Sequence, residues 1–232
     1  MNPRENGHGD GSGARRAALF DVDGTLVDTN YLHAVTWWEA FRQTGHTVPM
    51  WRIHHTIGMS SDRLVDHLLG EDRDRSQDDR IRSTHTALYA TYFTRLQALE
   101  GAADLLRAVA DRGRHIVLAS SASEDELAAM RAAIGADELT ADALSSDDVG
   151  TGKPAPDLVE RALERAGVPP EDAVFVGDTV WDVKAARKAG VPCVALLSGG
   201  VPHEVLADAG AAEIYQSPAD LLANLDRSAL AH

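Results

Sequence analysis

Three short apolar runs in the chain each stop at a polar residue. Ala17-Ala18-Leu19-Phe20 runs into Asp21-Val22-Asp23-Gly24-Thr25, and His115-Ile116-Val117-Leu118-Ala119 into Ser120-Ser121. Ala173-Val174-Phe175-Val176-Gly177 runs into Asp178, with Asp182 four residues on. Runs this short and continuous, bounded by turn residues, read as parallel strands buried on both faces. The carboxyl ends of such strands open onto the ligand crevice of an α/β sheet. The spacing thus predicts carboxylates and a hydroxyl converging on one rim.

From Gly101 onward the pattern alternates between helix and strand. Helices are predicted near 102–112, 124–134, 156–166 and 181–189. Strands are predicted at 115–119, near 140–144, at 173–177 and at 191–197, and a last strand–helix pair spans about 213–225. This alternation implies right-handed βαβ units and a mostly parallel sheet. The stretch from Thr29 to Leu99 breaks the rhythm. It reads as helical throughout, with 3–4 spacings at Tyr31, Val35, Trp38 and Phe41, and again at Leu88, Tyr92, Leu96 and Leu99. Within it, Glu71-Asp72-Arg73-Asp74-Arg75 is expected to be a solvated turn.

With 232 residues the chain is long enough for a full core. A net charge of -14 argues against nucleic acid and anionic membranes as partners. The single cysteine, Cys193, permits no internal disulfide and suits a reducing cytoplasm. Neither a long apolar span nor a secretory apolar region is present, and residues 1–16 read as a mobile tail.

Asp21 and Asp23 lie two apart at a strand end, so their side chains are expected on the same side. Two adjacent carboxylates can divide labour, one ionised as nucleophile or ligand and the other carrying a proton. Taken singly, each later residue has a plainer use: Ser120 as a helix cap, Lys153 as a loop cation, Asp178 and Asp182 at a helix N-terminus. Their order along the chain is what carries the reading. Phe20-Asp21-Val22-Asp23-Gly24-Thr25-Leu26-Val27-Asp28-Thr29 resembles the first motif of the haloacid dehalogenase-like hydrolase superfamily. Ser120 matches the second-motif hydroxyl, Lys153 in Gly152-Lys153-Pro154 the lysine motif, and Gly177-Asp178-Thr179-Val180-Trp181-Asp182 the acidic motif.

The resemblance implies an α/β fold: a Rossmann-like core at 17–27 and 100–232, with a helical cap inserted at 28–99. It implies Asp21 as nucleophile, Asp23 as acid and base, and Ser120 and Lys153 as partners of the phosphoryl group. Mg²⁺ would sit on Asp21, the Asp23 carbonyl and Asp178, with Asp182 behind them. Relatives acting on carbon–halogen or carbon–phosphorus bonds typically lack the second aspartate, so Asp23 points to phosphate esters. His33, Arg63 and Ser121 are the candidate contacts to a small phosphorylated metabolite, a sugar phosphate or a phosphoglycolate-like compound. A β-phosphoglucomutase-type mutase is the alternative. Against it, the chain reads Ser121-Ala122-Ser123-Glu124 where mutases usually place a Lys-Asn pair at the last two positions. A weakly catalytic phosphometabolite-binding protein is the reading of another class, and it does not require both a nucleophile and a proton carrier. Oligomeric state has no signal in the chain.

Overall fold

The computed structural model describes residues 15–140 and 142–231, so most of the expected tail lies outside the described residues. Arg16, assigned to that tail, opens the first strand instead. Among the described residues, six strands form one sheet: β1 (Arg16–Phe20), β2 (Arg114–Ala119), β3 (Ala143–Leu144), β4 (Ala173–Gly177), β5 (Cys193–Leu196) and β6 (Glu213–Tyr215). Every pairing is parallel, in the order β3-β2-β1-β4-β5-β6. The chain moves outward from β1 through β2 to β3, then returns to the other side of β1 with β4. This reversal makes the carboxyl ends of β1 and β4 the natural crevice. The Asp21 amide donates to the Val176 carbonyl at 2.9 Å, carrying the ladder one residue past β1.

Side-chain alternation along β1 builds two cores. Ala18 and Phe20 pack with α5 (Ala102–Asp111), α6 (Glu124–Ile134) and α10 (Pro218–Ala223). Ala17 and Leu19 pack with α7 (Asp157–Ala166), α8 (Val180–Lys188) and α9 (His203–Ala209). Coverage of both faces is why the strands read as unbroken apolar runs rather than alternating ones. Truncating a fully buried phenylalanine such as Phe20 to alanine costs about 3–5 kcal/mol, so these few central positions weigh heavily on stability.

Between β1 and α5 lie α1 (Asn30–Gln43), α2 (Met50–His54), α3 (Ser61–Leu69) and α4 (Asp78–Ala90), with no strand among these described residues. Trp37, Phe41, Ile53, Leu64 and Ile81 form a third apolar cluster there. The outgoing and returning chains run side by side, Asp28 N donating to Gln97 O and Leu99 N to Leu26 O.

Three local expectations are corrected. The 3–4 row Leu88, Tyr92, Leu96, Leu99 is not a buried helix face: α4 ends at Ala90, and its buried side is Ile81, His85 and Tyr89. The charged run at 71–75 is not wholly solvated. Arg73 bonds Asp66 at 2.8 Å and Asp78 at 2.6 Å, tying α3 to α4. Helix α9, bounded by Pro202 and Gly210, was not anticipated, because its seven residues are too few to show a period.

Arg114 opens β2 with its guanidinium buried, donating to the carbonyls of Ala17, Ala229 and Leu230. It fastens the C-terminal turn to the sheet. Arg114→Met keeps the aliphatic stem but leaves those carbonyls without this donor, an expected loss of about 2–4 kcal/mol in urea unfolding. A loss below about 0.5 kcal/mol, the range of an ordinary surface change, would contradict this role.

Candidate active site

Asp21 and Asp23 flank the turn that leaves β1, and Gly24 takes a φ of 71° there. A Cβ at Gly24 would collide with Asn30 and the Asp178 carboxylate, and one at Gly199 would strike the same carboxylate. Glycine is therefore required at both positions for the backbone to approach Asp178. Lys153, from the loop before α7, is fully buried with Nζ 2.5 Å from Asp21 Oδ1 and 2.6 Å from Asp182 Oδ1. The contact to Asp182 has ion-pair distance without hydrogen-bond alignment.

The placement of Asp182 is a consequence of helix capping. Thr179 caps α8 and accepts from the Asp182 amide, while Asp182 Oδ2 accepts from Thr179 N at 3.0 Å and Thr179 Oγ1 at 2.6 Å. One carboxylate oxygen is thereby held by the cap, and the other is turned toward Lys153. Asp178 is held by neutral donors, Thr25 Oγ1 at 2.8 Å and Asn30 Nδ2 at 2.7 Å.

Asp23 makes a second, separate arrangement. Its Oδ1 contacts His33 Nε2 at 3.0 Å and accepts from Thr29 Oγ1 at 2.7 Å, and its Oδ2 lies 3.4 Å from Ser120 Oγ. His33 Nδ1 in turn lies 3.1 Å from His85 Nε2. Tyr89 stacks on His33 and Trp37 on His85, each with ring centroids 3.9 Å apart.

Titration follows the same geometry. Burial pushes the Asp21 carboxyl up to about 7 despite Lys153, with Asp182 and Asp23 adding to the effect. Asp178 is pushed well above the usual carboxylate range by burial, then by Asp182 and Asp21. For Asp23, burial works upward, but the charge and hydrogen bond of His33 and the bond from Thr29 hold it below its ordinary value. His33 is the mirror case: burial lowers it, and Asp23 more than restores it. His85 is held well below its ordinary value by burial and then by the His33 charge. Asp23 and His33 thus each favour the other's charged form.

A cavity of about 140 Å³ opens over this floor, lined by Asp21, Asp23, His33, Lys153 and Ser121 and walled by Trp37, Arg82 and His85. Asp21, Asp23, Ser120, Lys153, Asp178, Asp182, His33 and Ser121 are brought together at this rim. Arg63 is not: it is exposed on α3 and does not line the cavity. Arg82, four residues after Asp78 on the inward side of α4, is the arginine at the wall. Thr25, Asn30 and His85 were also missed by sequence reasoning. A signal existed for His85, which shares an i, i+4 row with Ile81 and Tyr89.

Carboxylate oxygens of Asp21, Asp178 and Asp182 lie within 4.8 Å of one another, all buried. With Asp23 they make four carboxyl groups against Lys153 and His33, so full ionisation leaves negative charge at the floor with no protein counterpart among the described residues. The Asn30 Oδ1 atom is buried there without a hydrogen-bond partner among the described residues. An all-oxygen, glycine-lined, negatively charged recess fits a hard divalent cation.

The chain matches the model of the haloacid dehalogenase-like hydrolases over residues 15–190. A hydrolase from Pseudomonas syringae of known structure is 34% identical, with 92% of this chain and 99% of that one covered and a TM-score of 0.87. Phosphoglycolate phosphatase of Rhodospirillum rubrum is 27% identical over 89% of both chains. A CbbY variant from Rhodobacter sphaeroides, crystallised with xylulose-(1,5)bisphosphate, is 27% identical with a TM-score of 0.75, covering 89% of this chain and 96% of its own. The four ordered motifs, their convergence at one sheet crevice and these likenesses lead to one assignment: the chain belongs to the haloacid dehalogenase-like hydrolases, as a phosphoric monoester hydrolase.

Proposed function

We propose that the protein is a Mg²⁺-dependent phosphatase of a small phosphorylated metabolite, a sugar phosphate or phosphoglycolate-like compound, working through an aspartyl-phosphate on Asp21. The observation that carries this reading is the division of the two aspartates. Asp21 is paired with Lys153, and Asp23 with the His33 imidazole, which favours the ionised carboxylate and is itself raised by it. A nucleophile must keep its electron pair while its neighbour handles a proton, and the two environments separate those tasks.

In this mechanism the substrate phosphate enters the cavity above Asp21. Lys153 offsets the negative charge of nucleophile and phosphoryl group together, and the Ser120 hydroxyl donates to a phosphate oxygen. Attack by the Asp21 carboxylate forms the O–P bond as the ester oxygen leaves, taking a proton from the Asp23–His33 pair. The same pair then removes a proton from the water that hydrolyses the aspartyl-phosphate. Asp21, Asp178 and the Asp23 carbonyl are the oxygens that would hold Mg²⁺, with Asp182 behind them. When bound, such an ion supplies charge neutralisation and orientation for the transferring group. The helices of residues 28–99 serve as a cap that closes over the cavity and excludes water until the acyl-phosphate has formed. A reducing cytoplasm suits this chain with its lone, buried Cys193.

Two outcomes are expected. Phosphate release from p-nitrophenyl phosphate stops in EDTA and returns with added Mg²⁺, while full activity in metal-free protein would contradict the cation's role. His33→Ala lowers kcat/KM by about tenfold or more for an alkyl phosphate, whose leaving oxygen needs a proton, and by less for p-nitrophenyl phosphate. Equal losses on the two substrates would separate His33 from the proton step.

A further inference from the structure

The cavity over Asp21 continues sideways. Ser61, Ser121 and Ser146 line both it and an adjoining pocket of about 230 Å³, which Ser60, Asp62 and Asp147 also line. These groups come from three separate places: the start of α3, the turn after β2, and the turn after β3. Among the described residues, the hydroxyls of Ser60, Ser61 and Ser146 have no hydrogen-bond partner, and Ser121 Oγ reaches only the Gly58 carbonyl at 3.4 Å. A Cβ on Gly152 would collide with Ser60, so the glycine of the lysine motif also keeps this wall clear. The pocket therefore offers hydroxyls, which both donate and accept, in a space several waters wide.

Its charge has one sign. Among the described residues, no lysine or arginine lines the second pocket, whereas Asp62 and Asp147 do. Arg82, the arginine on the main cavity, lies 2.8 Å from Asp62 Oδ1 and 2.5 Å from Asp79 Oδ1, so two carboxylates already face it. Lys153 is engaged by Asp21 and Asp182. The N-terminus of α6, next to Ser121, carries Glu124, Asp125 and Glu126 in its first turn and is closed to a second anion.

Resting on the phosphatase reading, we propose that this serine-lined pocket takes the leaving group, and that the leaving group is an uncharged polyhydroxylated one. The substrate class narrows to monophosphates of sugars or polyols, and compounds bearing a second anion, carboxylate or phosphate, are disfavoured. A second anion would enter a space already holding two aspartates and would meet no unengaged cation.

The test compares kcat/KM for phosphate release from a panel of neutral aldose and alditol monophosphates, from phosphoglycolate and from fructose 1,6-bisphosphate. The best neutral monophosphate is expected to exceed both others by about tenfold or more. Asp147→Lys, an exposed change, is expected to narrow that gap about threefold or more. Ser146→Ala is expected to lower the ratio of the best neutral substrate to p-nitrophenyl phosphate by a similar factor. Preference for phosphoglycolate or the bisphosphate, or a gap that Asp147→Lys leaves unmoved, overturns the proposal while leaving the phosphatase reading intact. Failure to release phosphate even from p-nitrophenyl phosphate overturns both.

Discussion

The ammonium of Lys153 is fully buried between Asp21 and Asp182, and the arrangement of the rim follows from what that burial demands. A charge taken out of water costs several kcal/mol unless it is paired, and removing one partner of a buried pair costs about 3–5 kcal/mol. Burial alone would drive Lys153 toward its neutral form, but Asp182 and Asp21 hold it charged beyond the ordinary lysine range. The pairing works only because two elements end in register. β1 ends at Phe20, which presents Asp21, and the Thr179 cap starts α8 at Val180, which turns Asp182 inward. Secondary-structure boundaries thus set the electrostatics of the site.

One ammonium does not balance the floor. Among the described residues Asp178 is held only by Thr25 and Asn30, and burial beside Asp182 and Asp21 leaves it well above its usual range. This imbalance is the physical reason the recess fits a cation, and glycine at positions 24 and 199 leaves room beside the carboxylate. Helix α1 links the two halves of the site. From its first turn Asn30 reaches Asp178, and one turn later His33 reaches Asp23. Any shift of α1 against the sheet therefore alters the anionic floor and the proton-bearing pair together.

Much of this was legible in the chain because its signals are local. A four- or five-residue apolar run ending in Asp or Ser identifies a buried strand and its functional end at once. The helix expected near 124–134 is α6, whose start the structure fixes by the reciprocal Ser123–Glu126 cap and whose end it fixes at Gly135. The helices between β1 and α5 were harder, because aliphatic spacing near Leu88 and Leu99 concealed the row that is actually buried. That row carries His85 and Tyr89, polar aromatics whose burial is explained by stacking and by His33, fifty-two residues away in sequence. Arg63 was a candidate contact to the substrate, but the helix turns it outward, and Arg82 on the neighbouring helix takes the wall. Contacts across such separations have no periodicity to read.

The central claim is that the Asp21 carboxylate becomes covalently phosphorylated. Protein mixed briefly with a hydrolysable phosphate ester and Mg²⁺, quenched in acid and reduced with borohydride, can be digested and sequenced by mass spectrometry. The account predicts reduction of an acyl-phosphate at position 21 alone, in an amount that rises and decays with turnover. Steady phosphate release with no modification at Asp21, or with the phosphoryl group on another residue, would contradict it.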